Sequence, residues 1–105
     1  MASFLDYDFL SPLPHPGEIL RKAYLAPRNM TARALAKAMD LDGPDRIERI
    51  IGELKAVTAD TALRLERVFG VTAQFWMNLQ VQHDLSRAAI ENRAAIKSIG
   101  RLKSL

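Results

Sequence analysis

The chain has 105 residues, of which 49% are hydrophobic and 26% are charged, and this predicts one globular domain with a single core. It contains no cysteine, so disulfides, thiolate catalysis and cysteine-based zinc or iron–sulfur centres are excluded. The formal net charge is +3, and basic residues concentrate in residues 21–37 and 87–105, on either side of an acidic middle at residues 38–60. Such segments indicate either a polyanion-binding face or solvated helix faces.

Residues 1–15 are predicted to form an extended N-terminal arm. Pro12 and Pro14 lie in this arm and Pro16 follows it; proline removes a backbone donor and favours extended geometry in the residue before it. The arm carries Asp6 and Asp8, where a secretory signal would carry basic residues. No apolar run approaches the ~20 residues of a membrane helix. A soluble cytoplasmic protein is therefore expected.

The arm also carries an apolar, aromatic cluster of Phe4, Leu5, Tyr7, Phe9 and Leu10, with Asp6 and Asp8 between them. An exposed surface of this kind is expected to be covered. Two ways of covering it stay open. The arm folds over the chain's own helices or a dimer mate, or it binds a partner protein whose basic surface complements the two carboxylates.

Two short helices are predicted directly after the arm. Pro16 suits the first turn of helix 1, at about residues 16–26. Thr31 is the expected N-cap of helix 2, at about residues 31–39, because its hydroxyl can accept from a backbone N–H that has no helical partner.

A third short helix is predicted within LDGPDRIERIIGE, residues 41–53. The pair Gly43–Pro44 indicates a turn, with Asp42 as a cap and Pro44 in the first helical turn. Gly52 is expected to end the helix. The inward stripe would be Ile47, Ile50 and Ile51.

Thr58 and Thr72 are the expected caps of helices 4 and 5, and Gly70 is expected to end helix 4. Ala62, Leu65 and Phe69 line up on helix 4, supported by Leu63. Helix 5 is long, at about residues 72–100, and Phe75 and Trp76 near its start are core or interface anchors. Its later part has a heptad-like seam of Leu85, Ala89, Asn92, Ile96 and Ile99, which predicts a dimer interface or packing back on the domain.

Two short consecutive helices at positions 2 and 3 suggest a helix-turn-helix unit. Four stretches indicate a particular family within this class: HPGEIL, ALAKAM, TADTALRLERVFG and FWMNLQ. In this order and spacing they closely resemble the HigA-type antitoxins of the XRE-like helix-turn-helix superfamily, over about residues 14–87.

The resemblance implies an all-α, five-helix, lambda-repressor-like domain. It divides the chain into an arm at residues 1–15, a DNA-binding domain at residues 16–86 and a basic C-terminal helix extension at residues 87–105. It also implies an antitoxin that binds and neutralises a cognate toxin, typically an mRNA-cleaving ribonuclease. Such a protein dimerises and represses its own operon by binding palindromic, double-stranded operator DNA, without catalysis or a cofactor.

Helix 3 would then be the recognition helix in the major groove. Its outward residues, the candidates for base readout, are Asp45, Arg46, Glu48 and Arg49. Candidates for phosphate contact are Thr31, Arg33 and Lys55. The toxin-binding candidates are Phe4, Leu5, Asp6, Tyr7, Asp8 and Phe9, and the dimer-interface candidates are the five seam residues of helix 5.

The sequence departs from the family pattern around helix 3. Met39 and Ile47 are eight steps apart instead of the usual seven or so, and the turn between them contains Asp40, Asp42 and Asp45. After helix 3 the chain reads Gly-Glu-Leu-Lys where the family has Asn-Gly and basic residues. Two alternatives therefore stay open: a toxin-binding protein that has lost operator binding, and a stand-alone repressor without a toxin.

No enzymatic or metal site is predicted. None of the five serines lies in a recognisable nucleophile setting, and no paired carboxylates suggest acid–base chemistry. His15 and His83 are 68 positions apart, and no carboxylate-rich helix unites them, so a metal site is not expected.

Overall fold

The structure is a computed structural model that describes residues 2–102, and every regular element in this range is helical. A 3-10 turn at Phe4–Asp6 precedes helices α1 (Pro16–Ile19), α2 (Ala32–Ala38), α3 (Asp45–Ile51), α4 (Ala59–Phe69) and α5 (Ala73–Lys97). Helix α1 continues directly as a π-helical segment, Leu20–Leu25, and a 3-10 turn, Ala26–Arg28. The predicted all-α fold with five helices is confirmed. Within residues 2–102, no helix combines the length and apolarity needed to cross a membrane.

Three threonines start three of the helices, as predicted. The side-chain oxygens of Thr31, Thr58 and Thr72 accept from backbone N–H groups at the first turns of α2, α4 and α5, at 3.0, 3.4 and 3.3 Å. At the end of α4, Gly70 adopts a left-handed conformation with φ 80°, which a glycine reaches without steric cost.

Helix α3 begins differently from the prediction. Its N-cap is Pro44, and no side chain caps it, so the assignment of Asp42 as the cap is wrong. A capping side chain reaches the N–H two or three residues further on. Because α3 begins only at Asp45, its N-cap position falls on Pro44, which has no side-chain acceptor, and Asp42 lies two residues too early to take this place. Gly52 ends the helix as predicted, but the left-handed residue is Glu53, with φ 63°.

The core lies where α1 to α5 converge, and its fully buried large residues are Leu20, Leu35, Ile47, Ile50, Leu65 and Trp76. The Trp76 ring packs against Tyr24 and Phe75, with centroid distances of 5.0 and 5.2 Å. Trp76 is thus a core anchor. Leu63, expected to support the inner face of α4, is exposed because it lies two positions from the buried Leu65, on the other side of the helix.

Helices α1 and α3 touch backbone to backbone. A Cβ atom added to Gly17 would overlap the carbonyl oxygen of Ile50 near the end of α3. Arg21 also donates from Nη1 to the Ile51 carbonyl, and its Nη2 lies 3.7 Å from Glu53 Oε2. These contacts fix the end of α3 against the start of the chain's helical part.

Helix α5 is shorter than predicted. It ends at Lys97, and Asn92 has non-helical angles, φ −128° and ψ 17°, which mark a kink. Ile99 therefore lies beyond the helix, and the seam does not continue as one straight stripe. The helix runs without interruption through the predicted domain boundary between residues 86 and 87.

Candidate nucleic-acid interface

The link between α2 and α3 is a turn that α4 holds from outside. Asp40, just after α2, is left-handed with φ 58°, and the Leu41 N–H donates to the Ala36 carbonyl at 2.9 Å. Arg64 on α4 donates from Nη1 to the carbonyl oxygens of Met39 and Asp40, at 2.7 and 3.2 Å. The Met39 carbonyl belongs to the C-cap of α2 and carries part of the negative charge of the helix end, so the guanidinium stabilises this end.

Helix α3 presents a charged face because its opposite face, with Ile47 and Ile50, is fully buried. The four predicted base-reading residues lie away from that core: Asp45, Glu48 and Arg49 are exposed, and Arg46 is half-buried. Arg49 Nε lies 3.1 Å from Asp45 Oδ2, one helical turn away. This ion pair offsets the charge of one of the three aspartates in and after the turn.

Arg46 is paired across helices. Its Nη1 donates to Asp60 Oδ2 at 2.6 Å and to Thr61 Oγ1 at 3.4 Å, both at the start of α4. The same Asp60 oxygen accepts from Arg64 Nε at 3.0 Å. The hydrogen bond from Arg46 is the largest of the causes that lower the pKa of Asp60 below its ordinary value of 3.8. Burial acts in the opposite direction, and the hydrogen bond from Arg64 and the charges of both arginines add to the lowering. Asp60 thus joins two arginines through one carboxylate.

The predicted phosphate contacts divide between two places. Thr31 caps α2, and Arg33 lies on the first turn of this helix, where it lines a cleft with Lys37 and the turn residues 40–44. Lys55 lines a different cleft, whose walls include Glu53, His83 and Asp84. The structure thus brings Arg33, but not Lys55, next to the turn before α3.

The comparison with known proteins shows to which family the chain belongs. No protein-family model matches it. Virulence-associated protein I of Dichelobacter nodosus is 53% identical over 77 residues, which are 73% of this chain and 70% of that protein. The solved structure of the Pseudomonas aeruginosa antitoxin HigA with the higBA promoter has a TM-score of 0.81 at 38% identity, covering 87% of this chain and 99% of that chain.

This protein belongs to the HigA-type antitoxins of the XRE-like helix-turn-helix superfamily. The antitoxin GraA in complex with its operator agrees, with a TM-score of 0.83, 35% identity and coverage of 93% of this chain and 98% of that one. The resemblance read from the four sequence motifs is therefore confirmed.

Two motif residues of this HigA-type antitoxin have structural roles that the sequence reasoning missed. The buried Gln80, which ends FWMNLQ, accepts from the Val57 N–H at 2.8 Å and donates to Asp84 at 3.0 Å, so it anchors the loop after α3 to α5. His15, which opens HPGEIL, caps α1: its Nδ1 accepts from the Gly17 N–H at 2.8 Å. The partner of Gln80 lies 23 positions away and is supplied by the fold, whereas the partner of His15 is local and a helix-cap argument could have found it.

The two histidines, 68 positions apart in the sequence, are in contact. Their ring centroids are 4.9 Å apart, because the end of the arm lies along α5. His83 Nδ1 lies 2.7 Å from the Leu13 carbonyl. Burial, followed by the charge of His83, lowers the pKa of His15 below 6.5, while Glu53 and Asp84 act in the opposite direction. No group of three or more potential metal ligands occurs within residues 2–102.

The arm of this HigA-type antitoxin lies on the second half of its own α5. Arg93 Nη1 donates to Asp8 Oδ1 at 2.7 Å, and its Nη2 donates to the Tyr7 carbonyl. The Leu13 N–H donates to the buried Ser86 hydroxyl at 2.8 Å. Within the arm, the Phe4 and Phe9 rings stack with centroids 6.0 Å apart.

The predicted toxin-binding and dimer residues partly face each other. Phe4 and Leu5 of the arm line an apolar groove together with Leu85, Ala89 and Ile96 of α5. Ala89 is buried, whereas 47% of Leu85 and 73% of Ile99 are exposed.

The remaining arm candidates do not line this groove. Asp6 closes a capping box with Ser3, and Tyr7 and Asp8 are exposed. The arrangement matches the alternative in which the arm folds over its own helices.

Proposed function

We propose that this protein is an antitoxin that represses its own operon by binding operator DNA as a dimer and that neutralises a cognate toxin, for which the resemblance predicts an mRNA-cleaving ribonuclease. The observation that carries the DNA-binding part is the charged face of α3, set against α2 by a defined turn, in a chain that is 38% identical to an antitoxin HigA solved with its promoter. The proposed function requires no catalysis, metal or cofactor.

In this proposal α3 lies in the major groove. Arg46 and Arg49 would make bidentate contacts with guanine, and Asp45 and Glu48 would orient them or accept from cytosine. Arg33 and the N-terminal end of α2 would face phosphate, where backbone N–H groups and the helix dipole favour an anion. Lys55 would reach phosphate only from the other side of α3.

The acidic turn motivates a second candidate, a toxin-binding protein that has lost operator binding. Three carboxylates near a phosphate backbone are repulsive. The pairing of Asp45 with Arg49 reduces this repulsion and supports operator binding, since it leaves two of these three aspartates, Asp40 and Asp42, without an ion pair within residues 2–102. The longer turn is also held by Arg64.

Dimerisation is assigned to the outer face of α5, where Leu85 stays exposed next to the groove under the arm. We assign toxin binding to the exposed side of the arm, at Tyr7 and Asp8, because Phe4 and Leu5 already pack on α5. A basic toxin surface would compete with Arg93 for Asp8.

Two experiments test the proposed function. In a gel-shift series on DNA from upstream of its own gene, the chain should bind an intact palindrome in preference to a scrambled one, with affinity that falls as salt rises. The protein encoded by the neighbouring gene should co-purify with it. Co-purification without palindrome binding would leave the second candidate, and palindrome binding without co-purification would leave a stand-alone repressor.

A further inference from the structure

We infer that Asp60, at the start of α4, is a positioning residue for operator recognition: its carboxylate fixes the Arg46 guanidinium in the orientation that reads a base. This inference rests on the proposed operator binding. Asp60 lies outside α3, and 14 positions separate it from Arg46 in the chain, yet the two are joined by a contact of 2.6 Å.

The contacts of Arg46 leave one edge of its guanidinium available. A guanidinium has five N–H donors in a fixed plane. Nη1 serves Asp60 and Thr61, whereas Nε and Nη2 have no hydrogen-bond acceptor within residues 2–102. Thr61 is fully buried, so it provides a rigid second point of contact. The plane is therefore fixed from one side, and the other side keeps the paired donors that a guanine edge requires.

Asp60 is itself held in place. Arg64, one turn later on α4, donates to the same Oδ2 and also to the carbonyls of Met39 and Asp40 at the end of α2. The chain of contacts thus runs from α2 through α4 to Arg46 on α3. It ties the orientation of Arg46 to the helix that precedes the turn, and it does so across a turn that is one residue longer than usual.

A carboxylate at this place has two possible effects on DNA binding, and they have opposite signs. As a plain surface charge, Asp60 repels phosphate, so removing the charge would strengthen binding to any DNA. As a positioning residue, it preorganises a specific contact, so removing it would weaken the preference for the operator. Because Asp60 belongs to a surface network with Arg46 and Arg64, the circular dichroism of each variant is compared with that of wild type to separate an effect on recognition from an effect on folding.

The test compares Asp60→Asn with Asp42→Asn, which removes the same charge from an exposed residue of the turn that forms no ion pair within residues 2–102. Affinities for the intact palindrome and for scrambled DNA are measured at several salt concentrations. For Asp60→Asn we expect the ratio of the two affinities to fall about tenfold, the loss of one ordered base contact. For Asp42→Asn we expect both affinities to rise together and the ratio to stay unchanged.

Two further variants separate positioning from structure. Asp60→Glu should recover part of the lost preference. In a double-mutant cycle, Asp60→Asn should have no further effect on the preference once Arg46→Ala is present, because both changes remove the same contact. If Asp60→Asn does not fold, Arg46→Lys decides, since lysine keeps the charge but loses the forked geometry; an unchanged preference in Arg46→Lys would overturn the inference.

The outcomes distinguish the inference from the function on which it rests. A wild-type chain without preference for the palindrome would overturn operator binding, and the role of Asp60 with it. A wild-type chain that prefers the palindrome, together with an Asp60→Asn variant that prefers it equally, would overturn only the role of Asp60.

Discussion

Gly17 at the start of α1 faces the carbonyl oxygen of Ile50 in α3 with no room for a side chain between them. The glycine of the HPGEIL motif is thus a packing position: it lets two helix backbones approach closely. Because Ile50 carries the inner face of the proposed recognition helix, this approach also sets where that helix sits.

Gly17→Ala should destabilise the protein by about 3 kcal/mol, since the added methyl group forces the two backbones apart. Gly43→Ala is the matched control, because a Cβ atom there meets no heavy atom within 4 Å, and it should change stability by less than about 0.5 kcal/mol. Urea unfolding followed by circular dichroism measures both. Equal midpoints for the two variants would contradict the close approach of α1 and α3.

Stability should fall as the pH drops below about 6.5 in wild-type protein. The folded pKa of His15 lies below the unfolded value of 6.5, chiefly because the ring is buried and then because His83 is near. The unfolded state therefore binds more protons in the window between the two values. The stabilisation is complete above pH 6.5 and is lost as the pH falls through the folded pKa. Protonation would also remove the Nδ1 acceptor that caps α1.

His15→Asn isolates this effect, because asparagine can cap the helix but does not titrate. Urea midpoints measured between pH 5 and pH 8 should vary less with pH in this variant than in the wild type. His83→Gln should keep most of the pH dependence, since burial is the larger cause of the shift. The same slope in His15→Asn and wild type would rule out His15 as the titrating group.

Leu85→Glu should shift the protein from dimer to monomer without unfolding it. Leu85 is 47% exposed on the outer face of α5, so the carboxylate is solvated in a monomer but would be buried in the proposed interface. Gln82→Glu, also exposed on α5, is the control. Light scattering with circular dichroism separates dissociation from unfolding. A Leu85→Glu variant that stays dimeric at the wild-type concentration would exclude this interface.

The helices and three of the caps could be predicted from sequence because each depends on neighbours within a few positions: Thr31, Thr58 and Thr72 each accept from the backbone N–H three residues on. The cap of α3 could not, since this helix begins only at Asp45, so that its N-cap position falls on Pro44, which has no side-chain acceptor, and not on Asp42. The sequence also does not show which side chains lie next to each other in the folded protein. Arg46 finds its partner on another helix, and the two histidines meet only because the arm folds along α5.

The contact between the arm and α5 could not be predicted from the sequence either. A hydrophobic pattern shows that Phe4, Leu5 and Leu85 need cover, but it does not say which surface provides it. In the structure the arm and the seam cover each other in part. Residues 103–105, which include Lys103 of the predicted basic extension, lie outside the described residues.

The central claim, that α3 reads operator DNA, is tested most directly by the affinity of Arg46→Ala and Arg49→Ala for the palindrome upstream of the gene. Each variant should lose about 1–3 kcal/mol of operator affinity relative to scrambled DNA, because each removes a base contact. Arg67→Ala, an exposed arginine of α4, should alter affinity for both DNAs equally, if at all. Unchanged preference for the palindrome in both α3 variants would show that α3 is not the reading helix.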